Sequence, residues 1–114
     1  MTKIILPFNK WSRQKLALKL KQCTTRTHRA GKAGDNFFVG MTEFILTAVM
    51  ETTLAIVARD FYKEEGCDSP EEFMKVWCEL HPINKWKPEQ RVFLHWFAEL
   101  RTTRQEQESC QQLA

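Results

Sequence analysis

"TEFILTAVMETTLAIVARDFYKEEG", Thr42 to Gly66, changes period partway along. From Thr42 to Glu51 the residues alternate. Phe44, Leu46, Ala48 and Met50 fall on one side, and Glu43, Ile45, Thr47 and Val49 on the other, the pattern of a half-buried strand. From Thr52 the spacing turns helical, with Leu54, Val57, Ala58 and Phe61 at i, i+3, i+4 and i+7. Thr53 can cap that helix and Gly66 can end it.

The flanks extend the pattern in both directions. Upstream, "KIILPF" (Lys3–Phe8) reads as a first strand with Ile4, Leu6 and Phe8 on one side. "NKWSRQKLALKL" follows as a helix capped by Asn9 or Ser12. "QCTTRT" is polar and β-prone, "HRAGKAGD" turns the chain through Gly31 and Gly34, and "NFFVG" is a strand ended by Gly40. Downstream, "DSPEEFMKVWCELHP" is a helix. Ser69 caps it, Pro70 takes the first turn, Glu72 closes a capping box, and Phe73, Val76, Trp77 and Leu80 form its apolar stripe. "INKWKPEQ" is a loop. "RVFLHWFAEL" reads as a last strand with Val92, Leu94, Trp96 and Ala98 in phase, although a short apolar run also admits a helix. Residues 101–114 hold little apolar content and read as a frayed or disordered tail.

The order is therefore strand, helix, three strands, two helices, strand. Consecutive strands without βαβ rhythm predict an α+β fold, a small and mostly antiparallel sheet or barrel with helices packed outside. A chain of 114 residues suits one core, and the expected domain runs from residue 1 to 100. No apolar run reaches the length of a membrane span. The N-terminal "IILPF" is too short for a signal peptide, so a cytoplasmic protein is expected. Cys23, Cys67, Cys78 and Cys110 show no paired spacing and read as free thiols. Cys78 and His81 share a helix face near Cys67, but a fourth ligand and a C-x-x-C pair are missing, so no metal site is assigned.

Charge is lopsided. Residues 1–34 carry nine Lys or Arg and no acid, while the rest carries eight basic and fourteen acidic residues. A one-signed third attracts polyanions. Within it lies "LKQCTTRTHRAGKAGD", Leu20–Asp35. On a strand, Thr24 and Arg26 share one face and Cys23 and Thr25 the other, and Lys21 at the helix-to-strand junction can curl toward Thr24. Arg26 is a fork suited to phosphate or carboxylate, or else an internal partner for Asp35 or Glu65. Glu65, at the expected C-terminal end of a helix, sits where the macrodipole disfavours negative charge, which suits an acid–base group. Glu64 reads as an exposed helix-end residue. Trp11 or Trp86 can stack on a base. Trp77 and Trp96 belong to the core, and His81 and His95 are structural.

These segments, in this order, resemble the ASCH domain family. The resemblance rests on "PFNKWSRQKL" leading into K-x-x-T-x-R (Lys21, Thr24, Arg26), the "GKAGD" turn, the "EEG-x-x-S-x-EEF" core of the helical stretch, and the closing "VFLHWFAEL". It covers roughly Pro7 to Leu100. It implies a PUA-like β-barrel of about five or six strands with flanking helices. Family members often carry Gly two residues before the motif lysine, where this chain has Lys19. Either the turn differs here or a left-handed lysine costs about 1 kcal/mol.

Two activities follow from the resemblance. Some members resemble a small amidohydrolase that deacetylates N-acetylcytidine without a metal. Carried over, Lys21 activates a Thr24 nucleophile and Glu65 shuttles protons. Other members resemble RNA-binding modules. For those, Lys15, Lys19, Lys21, Thr25, Arg26, Arg29 and Lys32 are the expected contacts, and the partner is RNA or a modified nucleoside or nucleotide. Binding is the first expectation and hydrolysis the second. A protein-interaction module with a vestigial cleft is the third. No cofactor is expected, and the oligomeric state is left open.

Overall fold

The change of period falls at Thr53, whose hydroxyl accepts from the Ile56 N–H and caps a helix directly after a strand. The computed structural model describes residues 2–100, and the expected frayed tail, with Cys110, lies outside them. Their order is α1 (Lys10–Ala17), β1 (Cys23–Arg26), β2 (Asn36–Val39), β3 (Thr42–Thr53), α2 (Leu54–Asp60), α3 (Pro70–Leu80) and β4 (Arg91–Glu99). The four strands form one antiparallel sheet in the order β1-β4-β3-β2. It curls into a half-barrel flanked by the three helices. Among the described residues no helix is long and apolar enough to cross a membrane.

Four strands stand where about five or six were expected. "KIILPF" is not one of them. It makes a single parallel bridge, Lys3 to Asn36, through Ile4 N–H to Asn36 O (2.8 Å) and Asn36 N–H to Thr2 O (2.9 Å). Pro7 has no N–H to continue a ladder. The segment becomes a strap across the open side of the half-barrel, and the expected alternation survives on it. Leu6 is buried, while Ile4 and Phe8 pack partly buried against the same cluster.

A β-bulge explains a second difference. Leu46 pairs with Phe97 and Ala48 with Trp96, so Thr47 is the extra residue. One added residue exchanges the two faces. Phe44 and Leu46 are buried as expected, but beyond the bulge Val49 packs against the core and Met50 is exposed. On β4, Val92 and Leu94 are buried in phase, and Phe97 then takes the place expected of Trp96 and Ala98.

Helix starts were legible. Asn9 Oδ1 accepts from Ser12 N–H (2.8 Å), and Ser69 Oγ accepts from Glu72 N–H (3.1 Å), with Pro70 in the first turn. The Glu72 carboxylate reaches back to Asp68 N–H (3.3 Å), one residue before the cap, so the expected capping box is offset. The end of α2 differs more. The helix stops at Asp60, and residues 61–66 form an irregular turn ended by Gly66 at φ +99°.

Two apolar clusters make the core. Leu54, Val57, Phe73, Trp77 and Val92 lie between α2, α3 and the sheet. Leu6, Leu16, Phe37, Phe44, Leu46 and Phe97 form the other. In it Phe37 stacks on Phe44 (5.3 Å between centroids) and Phe97 meets both edge-on.

Candidate functional site

The site begins at a helix end. Leu20 N–H bonds to Lys15 O (2.9 Å) and Lys19 N–H to Leu16 O (3.0 Å), the 6→1 and 5→2 bonds of a Schellman motif. Lys19 holds the left-handed position at φ 60°. The left-handed turn is therefore kept here with a lysine, and the strain alternative holds. The Lys19 side chain is exposed and pairs with Glu99 (2.8 Å).

That reversal sends Lys21 inward. The next two amides, Gln22 N–H and Cys23 N–H, both bond to Glu64 O (2.6 and 3.2 Å). They dock the start of β1 on the 61–66 turn and bring Glu65 beside Lys21. Only glycine fits after it. A Cβ on Gly66 would lie 3.2 Å from Lys15 Cβ, on a backbone that L side chains rarely adopt. Glu65 thus sits in a turn five residues past the end of α2, so the expected macrodipole effect does not act on it.

Lys21 Nζ donates to Glu65 Oε1 (2.6 Å) and to Glu65 O (3.0 Å), and the Thr25 hydroxyl donates to Glu65 Oε2. All three residues are more than 90 % buried. Removing one partner of such a pair leaves an uncompensated buried charge, a cost of about 3–5 kcal/mol. Thr24 stands on the other face of β1, as alternation predicted. Its Oγ1 accepts from Arg26 Nε (3.2 Å) and makes no hydrogen bond to Lys21 or Glu65. Of the expected Lys21–Thr24–Glu65 set, the lysine and the glutamate touch each other, and the hydroxyl touching them is that of Thr25.

Arg26 is neither of the internal ion pairs considered from the sequence. Among the described residues, no carboxylate lies within 4.0 Å of it. Asp35 is taken by Lys32, through its backbone N–H (2.9 Å) and its ammonium (3.6 Å). Arg26 Nη2 instead donates to Pro7 O (2.6 Å), and the guanidinium lies 4.9 Å from the Phe8 ring centre. Burial lowers its pKa, opposed by the Glu65 charge.

These side chains share one cavity of about 440 Å³. Lys21, Thr24, Thr25, Arg26 and Glu65 form its polar side, the Ile5–Asn9 strap a second wall, and Phe73, Val76, Trp77, Leu80 and His81 a third. Trp11 lines it with Lys15 and Lys21 near its ring, whereas Trp86 packs edge-on against Phe73 in the core. The remaining expected cations stand away from it: Lys19 on Glu99, Arg29 over Phe93, Lys32 on Asp35. Sequence reasoning missed the strap and the Trp77–His81 pair, whose rings stack 3.9 Å apart. Nothing local in "LPF" or "WCELH" signals that either segment faces Thr24.

His95 is fully buried. Its Nε2 accepts from Ala30 N–H (3.0 Å) and its Nδ1 lies 3.0 Å from Phe93 O. That pattern fits a neutral ring protonated at Nδ1. Burial lowers its pKa, with Arg26 and Arg29 adding to that direction. Burial also raises the thiol pKa of Cys23, and pushes that of Cys67 up to about 12. Among the described residues no group of three His, Cys, Asp or Glu side chains is placed to hold a metal.

Fold and site together define a small α+β half-barrel with a cavity at its open side. Solved structures share that fold. Hypothetical protein PH0355 matches with a TM-score of 0.62 at 14% identity, over 88% of this chain and 100% of its own. Protein EF3133 from Enterococcus faecalis V583, of family DUF984, matches at 0.60 and 19% identity, over 88% and 81%. Protein PF0455 from Pyrococcus furiosus matches at 0.58 and 16% identity, over 89% and 100%. No protein-family model and no curated protein matches the chain.

Proposed function

We propose that this protein is an ASCH-type, PUA-like module, active as one unit over residues 1–100, that recognises RNA or a nucleotide in the cavity beside β1. A cytoplasmic setting agrees with its buried free thiols. The observation that carries the reading is the cavity's make-up. Its volume of about 440 Å³ falls within the range of small-ligand sites. Its lining combines the half-buried rings of Phe8, Trp11 and His81 with the hydroxyls of Thr24 and Thr25, the Arg26 fork and the Lys21–Glu65 pair, which are the kinds of group that stack and hydrogen-bond a nucleotide. Outside the cavity, Lys15, Arg29 and Lys32 extend positive charge for a phosphate backbone. Affinity for a short single-stranded RNA, measured by fluorescence anisotropy, should fall as salt rises. Arg26→Ala and Lys32→Ala each remove one cation from the phosphates, so each should shrink the salt slope by about one unit. A salt-independent affinity sinks the reading.

A second reading has its own observation. Glu65 touches an ammonium and a hydroxyl at once, the contacts a proton shuttle needs. In an amidohydrolase acting on N-acetylcytidine, the Thr24 oxygen would attack the acetyl carbonyl, and its proton would reach the Lys21–Glu65 pair only through a bridging water or the substrate, since Thr24 has no hydrogen bond to either. The C–N bond then breaks and cytidine leaves with that proton. Water finally releases acetate from the acyl-threonine. Purified protein should convert N-acetylcytidine to cytidine, and Lys21→Ala, Thr24→Ala and Glu65→Ala should each abolish turnover. Turnover surviving Thr24→Ala but lost in Thr25→Ala would move the nucleophile to the hydroxyl that contacts Glu65.

A further inference from the structure

We infer that the cavity takes the phosphorylated form of its ligand, a nucleoside monophosphate, and that Arg26, not Lys21, holds the phosphate. The inference rests on the nucleotide-recognition reading and sharpens it.

The argument is one of charge and free donors. Three charged side chains line the cavity: Lys21, Arg26 and Glu65. Lys21 and Glu65 neutralise each other at 2.6 Å, and the second Glu65 oxygen is taken by Thr25. The ammonium also donates to Glu65 O. An anion arriving at Lys21 would have to displace a carboxylate already in place, and would meet its repulsion. Arg26 is different. It is half-buried, and no carboxylate among the described residues pairs with it. Of the five N–H groups of a guanidinium, Nε donates to Thr24 and one Nη2 hydrogen to Pro7. Nη1 donates to no described residue.

Arg26 is also held in place before any ligand arrives. Thr24 fixes Nε, Pro7 fixes Nη2, and Phe8 lies 4.9 Å from the guanidinium carbon. A fork so fixed loses little conformational freedom on binding a phosphate. A partly buried cation without a counter-ion is costly to the fold, and a ligand anion is the group that offsets it. The opposite wall sets the rest of the ligand. Trp77 is itself buried, so the half-buried His81 ring stacked on it is what that pair offers a base in the cavity.

The test uses the whole chain and the tryptophan fluorescence of Trp11 and Trp77, both lining the cavity. The four ribonucleosides, their four 5′-monophosphates and inorganic phosphate are titrated in turn. At least one monophosphate should bind about tenfold or more tightly than its nucleoside, as charge-assisted hydrogen bonds provide. Arg26→Gln and Arg26→Lys should remove that difference, since neither side chain forks to a phosphate with a fixed charge. The surface control Arg91→Gln should keep it. Circular dichroism and a melting curve check that each variant is folded, and the wild-type comparison stands without them. Equal affinity for nucleoside and monophosphate overturns the assignment while leaving nucleoside recognition intact. Binding of none of the eight overturns both. A phosphate-dependent gain that survives in Arg26→Gln places the anion elsewhere and sinks the role of Arg26.

Discussion

His95 shows how one side chain ties the sheet to the loop beside the cavity. It sits on β4, fully buried, and accepts from Ala30 N–H in the segment that joins β1 to β2. His28 and Ala30 of that segment line the cavity. A protonated imidazole has no lone pair for that amide. The folded chain holds the His95 pKa below its ordinary value of 6.5, chiefly by burial. Below about pH 6.5 the unfolded chain therefore binds more protons than the folded one, so stability falls as pH falls. Urea denaturation at pH 7.5, 6.0 and 5.0 should show this loss in the wild type. His95→Gln, which keeps an acceptor but does not titrate, should lose less over the same range. Parallel losses in the two proteins would remove His95 from the account. The same scale explains Thr25. Sequence reasoning placed it with the nucleic-acid contacts, and its hydroxyl meets Glu65 because the chain reverses at Lys19.

At the scale of elements, the decisive parts are the joints and not the helices and strands. The Schellman turn after α1 aims Lys21, and the 61–66 turn after α2 aims Glu65. Lys19 occupies a left-handed position that costs an L side chain about 1 kcal/mol. Its exposed pair with Glu99 gives back at most about 1 kcal/mol. Lys19→Gly should therefore raise stability by up to about 1 kcal/mol, read as a higher urea midpoint at unchanged m-value. A lower midpoint would mean that the Glu99 pair outweighs the backbone strain. The strand faces carry the same lesson. Alternation predicted Phe44 and Leu46 correctly and then failed beyond Thr47, because a bulge exchanges the two faces and leaves no local signature of its own.

For the whole molecule, the cavity exists because the barrel does not close. Four strands leave a gap between β1 and β2, and the N-terminal strap crosses it. The strap is anchored by Asn36 at one end and Arg26 at the other. Leu6 fastens it to the phenylalanine cluster, while its neighbour Ile5 is 89% exposed at the cavity edge. Leu6→Ala should cost about 2–5 kcal/mol by chemical denaturation, and Ile5→Ala should stay within about 0.5 kcal/mol of wild type. Equal effects would show that the strap does not seal the core.

The sequence by itself determined the α+β class, the antiparallel run of strands, the caps at Thr53 and Ser69, and the basic character of the first third, and it narrowed the cap of α1 to Asn9 or Ser12. Each depends on neighbours within a few positions, where periodicity and side-chain chemistry act directly. It also singled out Lys21, Thr24, Thr25, Arg26 and Glu65, in two overlapping groups, and the fold lines one cavity with all five. Only the tertiary structure decided how they divide. The Lys21–Glu65 pair spans 44 positions and the Arg26–Pro7 bond 19. Such contacts are set by which surfaces pack and which backbone groups are left to satisfy, and no local pattern encodes them.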